Sequence, residues 1–324
     1  MRWFGRVDVT TDPTHPRFSW SGTGFLARFA GRSLAAQLNN GGSYIFKAVI
    51  DGATQPAFQT AAGMATYPLA TDLAAGTHTV ELYRQTEGSQ GASQLMGLTV
   101  GDGALLAPPA GPARLIEVIG DSITCGYGIL GTVADADCYP TESHWDAYPS
   151  VMARALGAEG STIAASGRGL LRNYGGDTVD TLPMIYGRAI TTEPGSRWDF
   201  PTRPHAVVIN LGTNDVGNGK GDPGPAFQNA YQTLVETIRA HYPNAYIVCT
   251  IGPLTSTAEA ALIAGYARQV VESRHAVGDS GIEVFDGILP QTADKFACQY
   301  HPNVAENAIM AAQLTDRLRA ALGW

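Results

Sequence analysis

Ser122 stands in the string Val118-Ile119-Gly120-Asp121-Ser122-Ile123-Thr124, an apolar run that passes through Gly-Asp-Ser towards a helical stretch. A hydroxyl at such a junction projects from the carboxyl end of a buried strand, where ligands bind in open α/β sheets. The free N–H groups and the dipole of a helix N-terminus favour negative charge there. That setting suits a nucleophile whose attack on a carbonyl creates an oxyanion. Taken alone, the tripeptide reads more simply as a helix cap.

Two further strings carry complementary groups. Ile209-Asn210-Leu211-Gly212-Thr213-Asn214-Asp215 follows another apolar run and brings a carboxamide to a strand end. Such an amide can donate to a developing oxyanion without adding charge, although Gly-Thr-Asn-Asp by itself is a plain turn. Gln299-Tyr300-His301-Pro302-Asn303 comes just before the last helical pattern. A neutral imidazole can take the serine proton and later return it to a leaving alcohol. The other six histidines (His15, His78, His144, His205, His241 and His275) have no comparable setting. Asp121 and Asp215 read as hydrogen-bond acceptors that hold turns, not as catalytic acids.

The elements that must position these groups fall into two classes. Phe18–Ser21, Phe25–Phe29, Leu34–Leu38, Tyr44–Ile50 and His78–Arg84 are short, partly alternating runs separated by Gly, Asn and Asp turns. They predict a β-sandwich over residues 1–108. A proline-rich stretch near Leu106–Pro112 reads as the linker. Over 113–324 the pattern alternates. Strands are expected at Leu115–Ile119, His205–Leu211, Ala245–Ile251 and Ile282–Phe285. Helix faces are expected at Phe227/Tyr231/Leu234/Ile238 and Leu262/Ile263/Tyr266/Val270. A final helix opens at Asn303, with Glu306 as its capping-box partner and Met310, Leu314 and Leu318 inward. Alternation of this kind predicts a mostly parallel sheet covered on both faces.

Composition narrows the partners. With Lys and Arg scattered and a formal net charge of -8, a polyanion would be repelled, so no nucleic-acid partner is expected. No apolar run approaches the roughly 18 residues of a membrane helix, so no membrane partner is expected. Met1–Val9 carries no apolar leader core. The four cysteines form no CxxC pair, which removes zinc-ribbon and thioredoxin-like readings. Cys249 is expected as a buried thiol. Cys125 and Cys138 flank one loop near Ser122, either as a disulfide or as two thiols. Gly22–Ala27 loosely fits a dinucleotide fingerprint, but a strand follows it. Gly217–Gly221 lacks phosphate-loop spacing and reads as a surface loop.

Taken together and in this order, the three strings resemble the SGNH (GDSL-type) hydrolase superfamily. Its marks fall here on Ser122, on Gly167 of Ala165-Ser166-Gly167, on Asn214 and on His301. With the front of the chain included, the resemblance is to carbohydrate esterase family 2. It is carried by Gly-Asp-Ser-Ile-Thr-Cys-Gly-Tyr-Gly, Trp20-Ser21-Gly22, Ser166-Gly167-Arg168-Gly169-Leu170 and the His-Pro-Asn ending. The resemblance implies a flavodoxin-like three-layer domain behind a jelly-roll-like sandwich. It implies a serine esterase that removes acetyl groups from poly- or oligosaccharide, often at the 6-hydroxyl of pyranosides. It also implies an acetylated carbohydrate as substrate partner, no metal or organic cofactor, and a secreted or periplasmic location.

The implied oxyanion donors are the N–H groups of Ser122 and Gly167 and the amide of Asn214. Tyr300, Tyr174 and Trp198 are the candidate aromatic platforms for a sugar. One departure stands out. Relatives commonly show Asp-Trp-His-Pro, whereas this chain has Gln299-Tyr300-His301-Pro302. A backbone carbonyl orienting a Ser–His dyad is the expectation, with Asp286 or Asp294 as the alternative acid. A lipase or thioesterase of the same superfamily, and a carbohydrate-binding pseudoenzyme, are the competing readings.

Overall fold

The computed structural model describes all of residues 1–324, which fall into two compact units. The first comprises Met1–Pro112 together with Arg188–Trp198; the second comprises Ala113–Gly187 and Asp199–Trp324.

The first unit is an antiparallel β-sandwich. Its strands are β1 (Arg2–Phe4), β2 (Arg17–Phe18), β3 (Gly24–Gly31), β4 (Ser33–Asn40), β5 (Ile45–Ile50), β6 (Ala53–Thr54), β7 (Phe58–Gln59), β8 (Gly63–Ala70), β9 (Gly76–Arg84), β10 (Ser93–Gly101) and β11 (Ala104–Leu106). One sheet runs β1-β3-β9-β5-β6, with β11 on β3 and β7 on β5; the other runs β2-β10-β4-β8. Alternate residues Phe25, Ala27 and Phe29 on β3 and Leu34, Ala36 and Leu38 on β4 turn into one core with Phe46, Val80 and Leu82. This is the period-2 pattern of a half-buried strand. The sequence reading missed β8 and β10. In β8, exposed Met64, Thr66 and Pro68 alternate with half-buried Ala65 and Tyr67, but an apolar Met and a Pro on the exposed face hide that period in the sequence. The segment Arg188–Trp198 is bound to this unit by polar contacts. Thr191 N–H donates to Ser19 Oγ at 3.0 Å, Trp20 Nε1 donates to the Arg188 carbonyl at 3.3 Å, and Arg17 pairs with Glu193.

The second unit carries five parallel strands: β12 (Arg114–Gly120), β13 (Ala158–Ala164), β14 (Ala206–Asn210), β15 (Tyr246–Thr250) and β16 (Ile282–Phe285). They are ordered β13-β12-β14-β15-β16. That is the flavodoxin-like order, whose strand sequence reverses between the first and third strands, so a crevice opens there. Every residue of β14, and all of β12 from Ile116 on, is buried, as a sheet covered on both faces requires. The sequence reading missed the edge strand β13, whose string Ala-Glu-Gly-Ser-Thr-Ile-Ala lacks an apolar run.

The helices are α1 (Ser122–Cys125), α2 (Tyr148–Ala155), α3 (Leu182–Ile185), α4 (Thr213–Val216), α5 (Pro225–His241), α6 (Thr257–Ala276) and α7 (Val304–Leu322). On α5 the predicted face Phe227, Tyr231, Leu234 and Ile238 is buried, together with Val235. On α6 the buried face is Ile263, Ala264, Ala267, Val270 and Val271, rotated away from the expected Leu262 and Tyr266. On α7, Met310, Leu314 and Leu318 enter a core shared with Ile116, Val118 and Val208. Asn303 caps α7 by accepting from Glu306 N–H at 3.1 Å, but its own N–H goes to the Lys295 carbonyl, so the capping box is half formed. No helix is long and apolar enough to cross a membrane.

Candidate active site

Ser122 is the first residue of α1, at the carboxyl end of β12. Asp121 stops the strand by capping: its Oδ1 accepts from Ile123 N–H at 3.1 Å. Gly120 is obligatory, since a Cβ there would lie 1.9 Å from Thr124 Oγ1. After one turn, Gly126 ends the helix in the left-handed region at φ 82°. A loop thus reverses the chain at once, leaving the serine at the mouth of the switch point and 8% exposed.

His301 reaches Ser122 across 179 residues of sequence: Nε2 lies 2.8 Å from Ser122 Oγ. Its Nδ1 lies 3.2 Å from the Cys298 carbonyl oxygen. A carbonyl only accepts, so Nδ1 must carry the proton and Nε2 presents its lone pair to the serine hydroxyl. One ring edge meets Tyr127, with centroids 5.0 Å apart and planes at 70°. Burial pushes the His301 pKa down to about 4, against a smaller upward pull from the carbonyls of Cys298 and Gln299. The imidazole is therefore neutral across the physiological range. Asp286 pairs with Arg268, and Asp294 with Thr292 and Lys295. Neither carboxylate is a hydrogen-bond partner of the imidazole.

Gly167 lies in the loop after β13 and has φ 76°. Its carbonyl accepts from Tyr174 N–H at 2.8 Å. The N–H groups of Ser122 and Gly167 take no part in the backbone hydrogen bonds of the turns and caps. Asp215, fully buried in α4, grips the same loop. Its Oδ2 accepts from Leu170 N–H at 2.9 Å, and its Oδ1 accepts from Leu171 and Arg172 at 2.8 and 2.9 Å. Burial holds this carboxyl above the usual range despite those three donors. Gly169 passes so close that an added Cβ would be 2.1 Å from the Arg172 carbonyl. Asn214 Nδ2 donates to the Arg168 carbonyl at 2.9 Å and, more weakly, to Asp121 Oδ2 at 3.3 Å. The amide thus bridges the ends of β12 and β14.

The aromatic candidates separate. Tyr300 is 59% exposed and meets Phe296 edge to face; Tyr174 is 62% exposed, with Lys220 Nζ 5.3 Å from its ring. Trp198 belongs to the first unit, where the Arg6 guanidinium lies 5.7 Å from its ring. Lys220 also donates to the carbonyls of Asn214 and Gly217, so the segment read as a surface loop turns its lysine inward. Tyr127 was overlooked in the sequence, although its Gly-Tyr-Gly setting forces the chain past the helix end. The disulfide joins Cys138 to Cys298, not to Cys125. Cys125 and Cys249 stay as buried thiols, the latter with its pKa pushed up to about 12 by burial.

Comparison with known proteins agrees with this geometry. Residues 3–109 match the carbohydrate esterase 2 N-terminal family and residues 118–309 the GDSL-like lipase/acylhydrolase family. The chain is 37% identical over 99% of its length to the cellulase/esterase CelE of Acetivibrio thermocellus, and spans 39% of that protein. It is 29% identical over 99% of its length to an acetylxylan esterase/glucomannan deacetylase of Cellvibrio japonicus, covering 88% of it. Among solved structures, a family two carbohydrate esterase from Clostridium thermocellum in complex with cellohexaose is 35% identical, with a TM-score of 0.95 and 99% of both chains covered. A sandwich of the family's N-terminal type, a Gly-Asp-Ser turn at a flavodoxin-like switch point and end-to-end likeness to a solved member lead to one assignment: the chain belongs to carbohydrate esterase family 2 and is a carboxylic ester hydrolase.

Proposed function

We propose that this enzyme removes O-acetyl groups from acetylated poly- or oligosaccharide, at the 6-hydroxyl of pyranosides, through a Ser122–His301 dyad and an acetyl-enzyme. The observation that carries the reading is the 2.8 Å contact between Ser122 Oγ and a His301 ring whose other nitrogen is held by a carbonyl. His301 takes the serine proton as Oγ attacks the acetyl carbonyl. The imidazolium then protonates the departing sugar alcohol, and water, deprotonated by the same nitrogen, releases acetate. The N–H groups of Ser122 and Gly167 face the oxyanion. The Asn214 amide joins them by giving up its 3.3 Å bond to Asp121. Each such donor is worth about 3–4 kcal/mol in the transition state. Exposed Tyr300 and Tyr174 offer faces for a sugar ring.

The substrate class rests on the relatives, one described as acting on acetylated xylan and glucomannan and another solved with cellohexaose. A disulfide persists in an oxidising compartment, so Cys138–Cys298 supports action outside the cytoplasm. The test compares wild type with Ser122→Ala on 4-nitrophenyl acetate and octanoate, and on mono-acetylated glucopyranosides that differ in position. Ser122→Ala should lose about 10⁴-fold or more in kcat, with acetyl preferred over octanoyl and the 6-ester over the 2- and 3-esters. Equal rates for wild type and mutant would reject the enzyme; a preference for octanoate would favour the lipase reading.

A further inference from the structure

The residues just before His301 adopt a backbone that ordinary side chains avoid. Gln299 has φ 49° and ψ 39°, and Tyr300 has φ 64°. Two successive non-glycine residues in the left-handed region persist only where their surroundings hold them. Hydrogen bonds and one covalent tie hold them. The Ala297 N–H donates to the His301 carbonyl at 2.7 Å, and Cys298 N–H donates to the Gly128 carbonyl at 3.3 Å. Gln299 Nε2 donates to the Ala136 carbonyl at 3.3 Å, and Gln291 Nε2 to the Tyr300 carbonyl. The one covalent tie is Cys138–Cys298, spanning 160 residues.

That tie runs between the two halves of the dyad. The loop bearing Gly128, Ala136 and Cys138 leaves directly from Gly126, the cap of the helix that presents Ser122. Gly128, with φ 65°, is packed so closely on the cystine that a Cβ would sit 2.6 Å from Cys298 Cβ and 2.9 Å from Cys138 Cβ. Cys298 also supplies the carbonyl that receives the His301 Nδ1 proton. One residue is thus both the anchor of the turn and the acceptor that fixes the tautomer. A side-chain acid could follow its histidine through small movements; a backbone carbonyl goes wherever its chain goes.

We propose that the Cys138–Cys298 disulfide is the positioning element of the base, keeping the Cys298 carbonyl on His301 and His301 on Ser122, so that esterase turnover requires the oxidised protein. This inference rests on the dyad reading above and deepens it. Cys138 and Cys298 touch no reacting atom; they act through His301. Reduction by dithiothreitol transfers two electrons and two protons to the cystine, giving two thiols while the reagent closes into its own cyclic disulfide. The freed turn then relaxes from its left-handed conformation and carries the carbonyl and the imidazole with it. The groups facing His301 are the Ser122 hydroxyl, the Tyr127 ring and the carbonyls of Cys298 and Gln299, none of them charged. Its titration therefore reports its burial in the closed turn.

The test uses oxidised wild type, dithiothreitol-reduced wild type, reoxidised wild type and Cys138→Ala, which keeps the Cys298 carbonyl. Each is assayed on 4-nitrophenyl acetate from pH 4 to 8, with the folded fraction measured by near-ultraviolet circular dichroism. A misplacement of about 1 Å can cost about 10²-fold in rate, so kcat per folded molecule should fall about that far in the reduced protein and in Cys138→Ala. KM for 4-nitrophenyl acetate should change by less than about twofold, since this substrate carries no sugar ring to rest on Tyr300. The acid limb of kcat/KM should move up towards the ordinary histidine value of 6.5 as the ring becomes hydrated. Reoxidation should restore both. An unchanged kcat and pH profile in Cys138→Ala would overturn the proposal. So would a loss that merely tracks the unfolded fraction with the acid limb unmoved, because the cystine would then serve stability alone. If oxidised wild type were no faster than Ser122→Ala, the dyad itself would fall and this inference with it.

Discussion

Asp215→Asn isolates one buried carboxylate that never meets the reacting atoms. The two oxygens of Asp215 accept from Leu170, Leu171 and Arg172. The asparagine keeps one oxygen. In its better orientation that oxygen stays on Leu171 and Arg172, and the new NH₂ faces the Leu170 N–H at about 2.9 Å, donor against donor. One hydrogen bond to a charged group is lost, worth about 1.5–3 kcal/mol, and the remaining two become neutral and weaken by about 1 kcal/mol each. Burial already raises the Asp215 pKa, so removing the charge returns part of its desolvation cost. The net expectation is a loss of about 3 kcal/mol, or about 6–12 °C in Tm at 2–4 °C per kcal/mol for a unit of this size. The gripped loop carries Gly167, so a relaxed loop should also lower kcat by up to about 10²–10³, the value of one oxyanion donor. Thermal unfolding and 4-nitrophenyl acetate kinetics read both effects. A variant within 1 °C of wild type and with unchanged kcat would refute the claim that this carboxylate shapes the site.

The acid limb of kcat/KM should lie near pH 4 and not near 6.5, because burial lowers the His301 pKa and only the neutral ring can take the serine proton; a limb at 6.5 would contradict the packing. His144, fully buried between the Cys125 carbonyl and Thr162 Oγ1, has its pKa pushed down to about 4 by burial. A folded-state value below the unfolded one gives stability that is complete above pH 6.5 and is lost as pH falls towards 4. Denaturant unfolding at pH 7 and 4.5 should therefore differ by about 2 kcal/mol from this residue alone, and His144→Gln should shrink that difference. Gly169→Ala places a methyl against the Arg172 carbonyl and Asp215, and should lower Tm and kcat together; an unchanged enzyme would show that the loop yields freely.

The fold was readable where apolar runs were continuous. Strands β12, β14 and β15 are largely buried on both faces and announce themselves, and the half-buried edge strand β16 still carries the apolar string Ile-Glu-Val-Phe, whereas the other edge strand, β13, has small polar residues that carry no period. In the site, Ser122 and His301 each sit in a short string at an element boundary; alone, the serine string reads as a helix cap, and it is the order of the strings along the chain, with the family resemblance, that singles the two residues out. The cystine could not be read that way. Cys125 is the neighbour of Cys138 in sequence, but Cys125 lies inside a helix whose direction is fixed by Asp121 and Gly126. The partner that meets Cys138 arrives from 160 residues away, on a turn whose left-handed backbone has no glycine to signal it. Long-range approach of two irregular loops is set by the finished fold, and no local pattern encodes it.

The sequence separation of 179 between Ser122 and His301 has a temporal meaning as well. Chains are made from the N-terminus at about 5–20 residues per second, so the imidazole emerges roughly 10–35 s after the serine it will activate. On the dyad proposed above, the hydroxyl is an ordinary alcohol throughout that interval. On the proposed dyad, activation of that hydroxyl waits until the turn carrying His301 has packed against the end of β12.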